Sequence, residues 1–154
     1  MTAGLICDSL NPKFVFASPV FRDELDSAGE LTADRLTDHV DHALAAWYSV
    51  AGETCKAPVS DGLEPKHLLR DTNLELLNRV DEPLVMRIDV WVEALDTSSC
   101  VYGFQVSSED GRVPFARGER TVTHVDPQSN RPEPWSEAFR TSHAVLLKDL
   151  PAFA

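Results

Sequence analysis

At 154 residues the chain has the length of one domain with room for a substantial hydrophobic core. Its 43% hydrophobic and 25% charged residues are ordinary for a globular protein, and no apolar run reaches the roughly 18 residues of a membrane helix. The formal net charge of −11, with no basic stripe to offset it, argues against nucleic acid as a partner.

The N-terminus "MTAGLICDSLNPKF" carries no basic n-region and no long apolar h-region. It predicts no signal peptide, no membrane association and a cytoplasmic location. Cys7, Cys55 and Cys100 are far apart, with no Cys-x-x-Cys spacing, which fits a reducing compartment rather than a disulfide framework.

In chain order, the aromatic and β-branched stretch Phe14 to Phe21 reads as a first strand, with Pro19 at an edge or bulge. A crowded acidic turn follows, holding Asp23, Glu24, Asp26 and Glu30 around Gly29. Leu36, Val40, Ala43, Leu44 and Trp47 then form one apolar stripe at helical spacing, with Asp34, Asp38 and Asp41 opposite. Thr32 is the predicted N-cap, and Gly52 marks the predicted end of the helix.

After a polar loop from Glu53 to Pro65 the periodicity changes to two. Leu84, Met86, Ile88, Val90, Val92 and Ala94 fall on one face of a strand; Val85, Arg87, Asp89, Trp91 and Glu93 fall on the other. The Glu109-Asp110-Gly111 tripeptide reads as a hairpin turn between two further strands. The segment from Ser136 carries a short amphipathic helix after a proline-rich loop. One strand, one long helix and about four antiparallel strands predict a two-layer α+β domain in which the helix covers one face of the sheet.

Among chemistry-bearing groups, His39 and His42 lie at i, i+3 beside Asp38 and Asp41, but lack an HExxH arrangement and a distant ligand. They read as a solvated helix face, so no metal is expected. Ser98, Ser99 and Cys100 read as a turn and strand start, and no G-x-S-x-G elbow is present. Arg112, Arg117 and Arg120 suit either cross-strand pairing or an anionic ligand. Asp26 in turn reads as a local cap for turn amides or as a reactive carboxylate at a helix entrance.

The ordered set of motifs resembles the hotdog-fold acyl-CoA thioesterases of the 4-hydroxybenzoyl-CoA thioesterase type. Glu24-Leu25-Asp26-Ser27-Ala28-Gly29 is similar to the family's D-x-D-x-x-G turn leading into its central helix. Asp41-x-Ala43 resembles an acidic-then-small pair in that helix, and "ARGERTVTHVD" and "RPEPW" resemble later segments. The resemblance covers about residues 14–137. Many relatives carry a His directly after the glycine, where this chain has Glu30.

The resemblance implies a single hotdog domain spanning 1–154, with an antiparallel five-stranded sheet wrapped around one long helix from Leu31 to Trp47. It implies thioester hydrolysis of an acyl-CoA substrate, needing no cofactor, with Asp26 as nucleophile or general base. The backbone N–H of Ala33 is the implied oxyanion donor, Asp41 a second candidate carboxylate, and Gly29, Arg117 and Arg120 the implied substrate contacts. A homodimer or homotetramer is implied, with the site at the subunit interface. Two other readings stay open: a non-catalytic acyl-CoA or acyl-carrier binder, and a thioesterase acting on a carrier protein.

Overall fold

The computed structural model describes residues 3–6, 13–54, 66–126 and 128–147. The strands are β1 (Ala3–Ile6), β2 (Lys13–Val20), β3 (Lys66–Leu76), β4 (Leu84–Leu95), β5 (Ser99–Ser108) and β6 (Pro114–Val125). The helices are α1 (Ala33–Thr54) between β2 and β3, and α2 (Glu137–Val145) after β6. One antiparallel sheet has the order β1-β2-β4-β5-β6-β3. The five predicted strands are all present, and the expected hotdog arrangement of sheet around helix is the one observed. β1 adds a sixth strand. Four residues, "AGLI", are too few to show an alternation from which a strand could be read.

The helix forms for the reason its pattern gave. Leu36, Val40, Ala43, Leu44 and Trp47 are all buried against the sheet, while Asp34, Asp38 and Asp41 are exposed. Thr32 caps it, its Oγ1 accepting the Arg35 N–H at 3.3 Å. The helix does not stop at Gly52 but runs through to Thr54. Ala51, 7% exposed, carries the apolar stripe one turn past Trp47. Burial along that extra turn offsets the roughly 1 kcal/mol that an interior glycine costs a helix. Of the predicted loop from Glu53 to Pro65, Glu53 and Thr54 close the helix and the remainder lies outside the described residues.

β4 buries Met86, Ile88, Val90 and Val92, as its period-two pattern requires. Ala94, expected on the same face, is exposed because the ladder with β5 shifts register between Val92 and Ala94. An inserted residue reverses which face the following side chains occupy. Among the described residues β1 pairs with β2 only as far as Phe16, so Pro19 has no ladder partner on that side and needs no donor there. The Glu109–Gly111 turn forms as expected, with Gly111 at φ +78° and its N–H bonded to the Ser108 carbonyl at 2.8 Å.

α2 begins at Ser136, whose hydroxyl accepts the Phe139 N–H at 3.1 Å. It is tied to the sheet through the Val92 N–H, which donates to the Leu146 carbonyl at 2.9 Å. A column of stacked rings runs along it: Trp135 on Phe139 with centroids 3.8 Å apart, and Phe139 on His143 at 3.6 Å. Trp47 closes the column from α1, donating its indole N–H to His143 Nε2 at 3.1 Å. Tyr102 from β5 reaches the same nitrogen at 2.8 Å, and Tyr48 meets the Tyr102 hydroxyl at 3.0 Å. The far end of α1 is therefore closed by aromatic side chains. Among the described residues no helix is long and apolar enough to cross a membrane.

Candidate active site

The opposite end of α1 carries the acidic turn. β2 leaves the sheet at Phe21, makes one 3-10 turn (Arg22–Glu24) and enters a loop closed by Asp26. Asp26 Oδ1 accepts two backbone N–H groups, from Ala28 and Glu30, each at 2.9 Å. Its own N–H donates to the Glu30 carbonyl at 2.8 Å, and the Gly29 N–H donates to the Asp26 carbonyl at 2.9 Å. Gly29 sits at φ +78°, a backbone region where a Cβ is costly, so glycine is what lets the chain reverse into the helix.

The loop is anchored at its exit. The Leu31 N–H donates to the Val80 carbonyl at 2.8 Å, and Arg79 Nη1 donates to Glu30 Oε1 at 2.7 Å. Glu30 thus has a partner of its own across the loop.

Asp26 itself is exposed, and its Oδ2 takes no hydrogen bond among the described residues. Ala33, the first residue of α1, is also exposed and its N–H has no partner there. Free N–H groups at a helix start carry the positive end of the helix dipole. A carboxylate with one oxygen fixed and the other open therefore lies in the turn that leads into a helix with an unspent donor.

The other expected residues separate into two places. Asp41 and Arg120 come together, Arg120 Nη1 donating to Asp41 Oδ1 between α1 and β6. Arg120 is 7% exposed, and among the described residues its buried Nε has no hydrogen-bond partner, nor has the hydroxyl of Thr72 at the facing position of β3. Arg117 instead lies on the solvent side of the sheet, paired with Glu75 at 2.9 Å. Arg112 is exposed beside Asp110 in the hairpin.

His39 differs most from its sequence reading. It is buried, not solvated, while His42 is exposed. His39 Nε2 lies 2.7 Å from Glu24 Oε1, and its Nδ1 lies 2.5 Å from Ser18 Oγ on β2. The other oxygen of Glu24 accepts the Phe21 N–H at 2.7 Å. Burial pushes the Glu24 carboxyl up, but the Phe21 amide, the His39 ring and Arg35 together hold it below the usual carboxylate range. The sequence did carry a signal for this contact. Ser18 is the lone hydroxyl on the buried face Phe14, Phe16, Ser18, Val20, and His39 directly precedes the stripe residue Val40. A buried hydroxyl needs a partner, and a helix-edge histidine can supply one.

Three other groups are poor nucleophiles. Cys100 is a free, buried thiol pushed up to about 12 by burial, only partly offset by its hydrogen bond to Tyr102. Burial likewise raises Tyr48 to about 12. At 3% exposure the Ser18 hydroxyl cannot meet a carbonyl carbon, although its contact with His39, and that of His39 with Glu24, follow the order of a hydrolytic triad.

The fold is shared with solved proteins at low sequence identity. A 1,4-dihydroxy-2-naphthoyl-CoA thioesterase from Synechocystis superposes with a TM-score of 0.74 at 12% identity, covering 86% of this chain and 96% of its own. A Staphylococcus aureus protein solved in complex with CoA gives 0.75 at 13% identity, covering 90% and 86%. A candidate thioesterase from Pseudomonas aeruginosa gives 0.72 at 19% identity, covering 83% and 95%. No curated protein matches the sequence. The profile of the thioesterase-like superfamily matches residues 20–142, which takes in the acidic turn, α1, the sheet from β3 to β6 and most of α2. The chain belongs to the thioesterase-like superfamily and has the hotdog fold.

Proposed function

We propose that the protein hydrolyses an acyl-CoA thioester at the acidic turn, with Asp26 as the reacting carboxylate and the Ala33 N–H as an oxyanion donor. The observation that carries this reading is the state of Asp26: Oδ1 is held by two amides while Oδ2 takes no hydrogen bond among the described residues, in the turn that leads into the free start of α1. A fixed carboxylate needs little reorganisation to react, and a preorganised N–H stabilises charge developing on the carbonyl oxygen. The CoA complex of the S. aureus protein and the CoA thioesterase of Synechocystis support this substrate class.

Either of two routes uses these groups. As nucleophile, Oδ2 bonds to the thioester carbon, the C–S bond breaks and the thiolate leaves, taking a proton from solvent. Water then hydrolyses the mixed anhydride and returns the carboxylate. As general base, Asp26 takes a proton from a water that attacks the same carbon, and that proton leaves with the thiol. Asp41 remains the second candidate carboxylate, with its charge shared with Arg120. Gly29 shapes the turn, and Arg117 and Arg120 are proposed contacts for anionic parts of the substrate.

An exposed Asp26 and Ala33 leave the site open to water on one side. β3, eleven residues long, ends the sheet with no strand beside it among the described residues. An uncovered edge of that length favours pairing with a second copy. We therefore propose a homodimer, or a tetramer built from it, in which the partner covers the turn. We further propose one cytoplasmic domain across 1–154.

Thiol release from a panel of acyl-CoAs tests the activity, with size-exclusion chromatography and light scattering reporting the assembly. Turnover of at least one panel member by an oligomer is the expected result. The binding-only reading has one observation in its favour: Glu30 follows Gly29 and is tied to Arg79. Calorimetric binding of acyl-CoA without turnover of any member would establish it instead. Faster turnover of the same acyl group on a carrier protein than on CoA would move the substrate class to carrier thioesters.

A further inference from the structure

We infer that His39 is a positioning residue that ties the acidic turn to both β2 and α1 through Ser18 and Glu24; the inference rests on the proposed role of Asp26. Three groups from three elements meet in one line. Ser18 lies on the buried face of β2, Glu24 ends the 3-10 turn, and His39 lies in the second turn of α1. The separations are 2.5 Å on the Ser18 side and 2.7 Å on the Glu24 side, and Ser18 and His39 are 3% and 5% exposed.

Donor arithmetic gives the line a direction. A carboxylate only accepts, so His39 Nε2 carries the hydrogen donated to Glu24. Nδ1 then meets the Ser18 hydroxyl, which can donate to it or accept from it. Glu24 has both oxygens engaged, one by His39 and one by the Phe21 N–H where β2 ends. Glu24 and Asp26 are separated only by Leu25. Whatever fixes Glu24 fixes where the loop of Asp26 begins.

The loop has other anchors, but none does the same thing. Leu31 and Glu30 fasten its exit to Val80 and Arg79, in the segment between β3 and β4. Among the described residues that hydrogen-bond the turn's side chains, only His39 belongs to the helix whose start offers the Ala33 N–H. It therefore couples the carboxylate and the oxyanion donor, the two parts that must keep their relation during reaction. An apolar pair at positions 18 and 39 would pack strand against helix without desolvating polar groups. What the hydrogen-bonded line adds is direction.

The test compares wild type with His39→Phe, His39→Gln and Glu24→Gln, measuring kcat, KM, thermal midpoint and hydrogen exchange of the amides of Ala28 and Glu30. His39→Phe fills the space and removes both bonds; His39→Gln keeps a donor for Glu24. A turn displaced by about 1 Å lowers kcat on the order of 10²-fold. The expected pattern is a fall of about that size for His39→Phe, with KM within about twofold, partial recovery in His39→Gln, and faster exchange at both amides. A lower midpoint with unchanged kcat and unchanged exchange overturns the inference, because His39 would then only support the core. Should His39→Phe fail to fold, the milder Glu24→Gln decides by the same readouts. Asp26→Asn is measured alongside. If it retains full activity, or if the wild type turns over no acyl-CoA, the functional reading fails; exchange at Ala28 and Glu30 still decides whether His39 holds the turn.

Discussion

Two buried histidines meet α1 and are used in opposite ways: His39 lies in its second turn, and His143 of α2 packs against Trp47 further along it. At the aromatic end, His143 Nδ1 lies 3.0 Å from the Phe139 carbonyl, which only accepts. Nε2 faces the Trp47 N–H at 3.1 Å and the Tyr102 hydroxyl at 2.8 Å, so it is an acceptor and the ring is neutral. At the acidic end, His39 donates to a carboxylate and meets a hydroxyl that can either donate or accept. One histidine is a fixed acceptor enclosed by rings, and the other links a charged rim to the interior. The difference assigns the ends of the helix their work. The aromatic end holds the sheet, α1 and α2 together, and the acidic end holds a turn that stays in contact with solvent.

Substitutions can break that contrast. The largest stability loss is expected for Trp47→Ala, which removes a side chain that is 0% exposed together with a donor to His143. Such a truncation costs about 3–5 kcal/mol, read from the urea midpoint. A loss below about 1 kcal/mol would mean that the aromatic end does not hold the fold. Tyr102→Phe keeps the ring and removes one hydroxyl, and with it that hydroxyl's contacts to Tyr48 and to His143 Nε2. A loss of about 1–2 kcal/mol is expected, with kcat of the folded protein unchanged.

At the acidic end the expected effect is smaller and depends on pH. Glu24 is held below its ordinary value, so the folded state prefers the ionised form. Its contribution is full above the unfolded pKa and is lost as pH falls through the depressed folded value. The gap in urea midpoint between wild type and Glu24→Gln should close progressively below about pH 4.5, and is expected to be at most about 1 kcal/mol at pH 7. A gap independent of pH contradicts the ionic tie. Smallest of all is the response of Cys100 to a thiol reagent. Its thiol, buried and raised to about 12, should label in the native protein far more slowly than in urea, as read by peptide mass mapping. Rapid native labelling would mean that the interior beside Tyr102 is open.

Much of the fold is legible along the chain because periodicity reports burial directly. The stripe from Leu36 to Trp47, the alternation from Met86 to Val92 and the turn at Gly111 all rest on local rules. The misses come from non-local causes. Ala94 turns outward because of a register shift set by the ladder with β5. The helix passes Gly52 because the sheet buries Ala51. His39 is buried because a hydroxyl 21 residues earlier and a carboxylate 15 residues earlier converge on it. At the site, the turn itself was legible from Glu24 to Gly29, and the structure adds which oxygen of Asp26 is engaged. That the expected carboxylate Asp41 and the expected cation Arg120 neutralise one another could not be read from a separation of 79 residues.

The central claim is that Asp26 reacts, and Asp26→Asn tests it with little disturbance to the turn. An asparagine carbonyl can still accept the Ala28 and Glu30 amides that Oδ1 accepts now. The account predicts a folded protein with unchanged thermal midpoint within about 1 kcal/mol of stability, and thioester hydrolysis reduced on the order of 10³-fold or more. Hydrolysis at the wild-type rate by folded Asp26→Asn would contradict it.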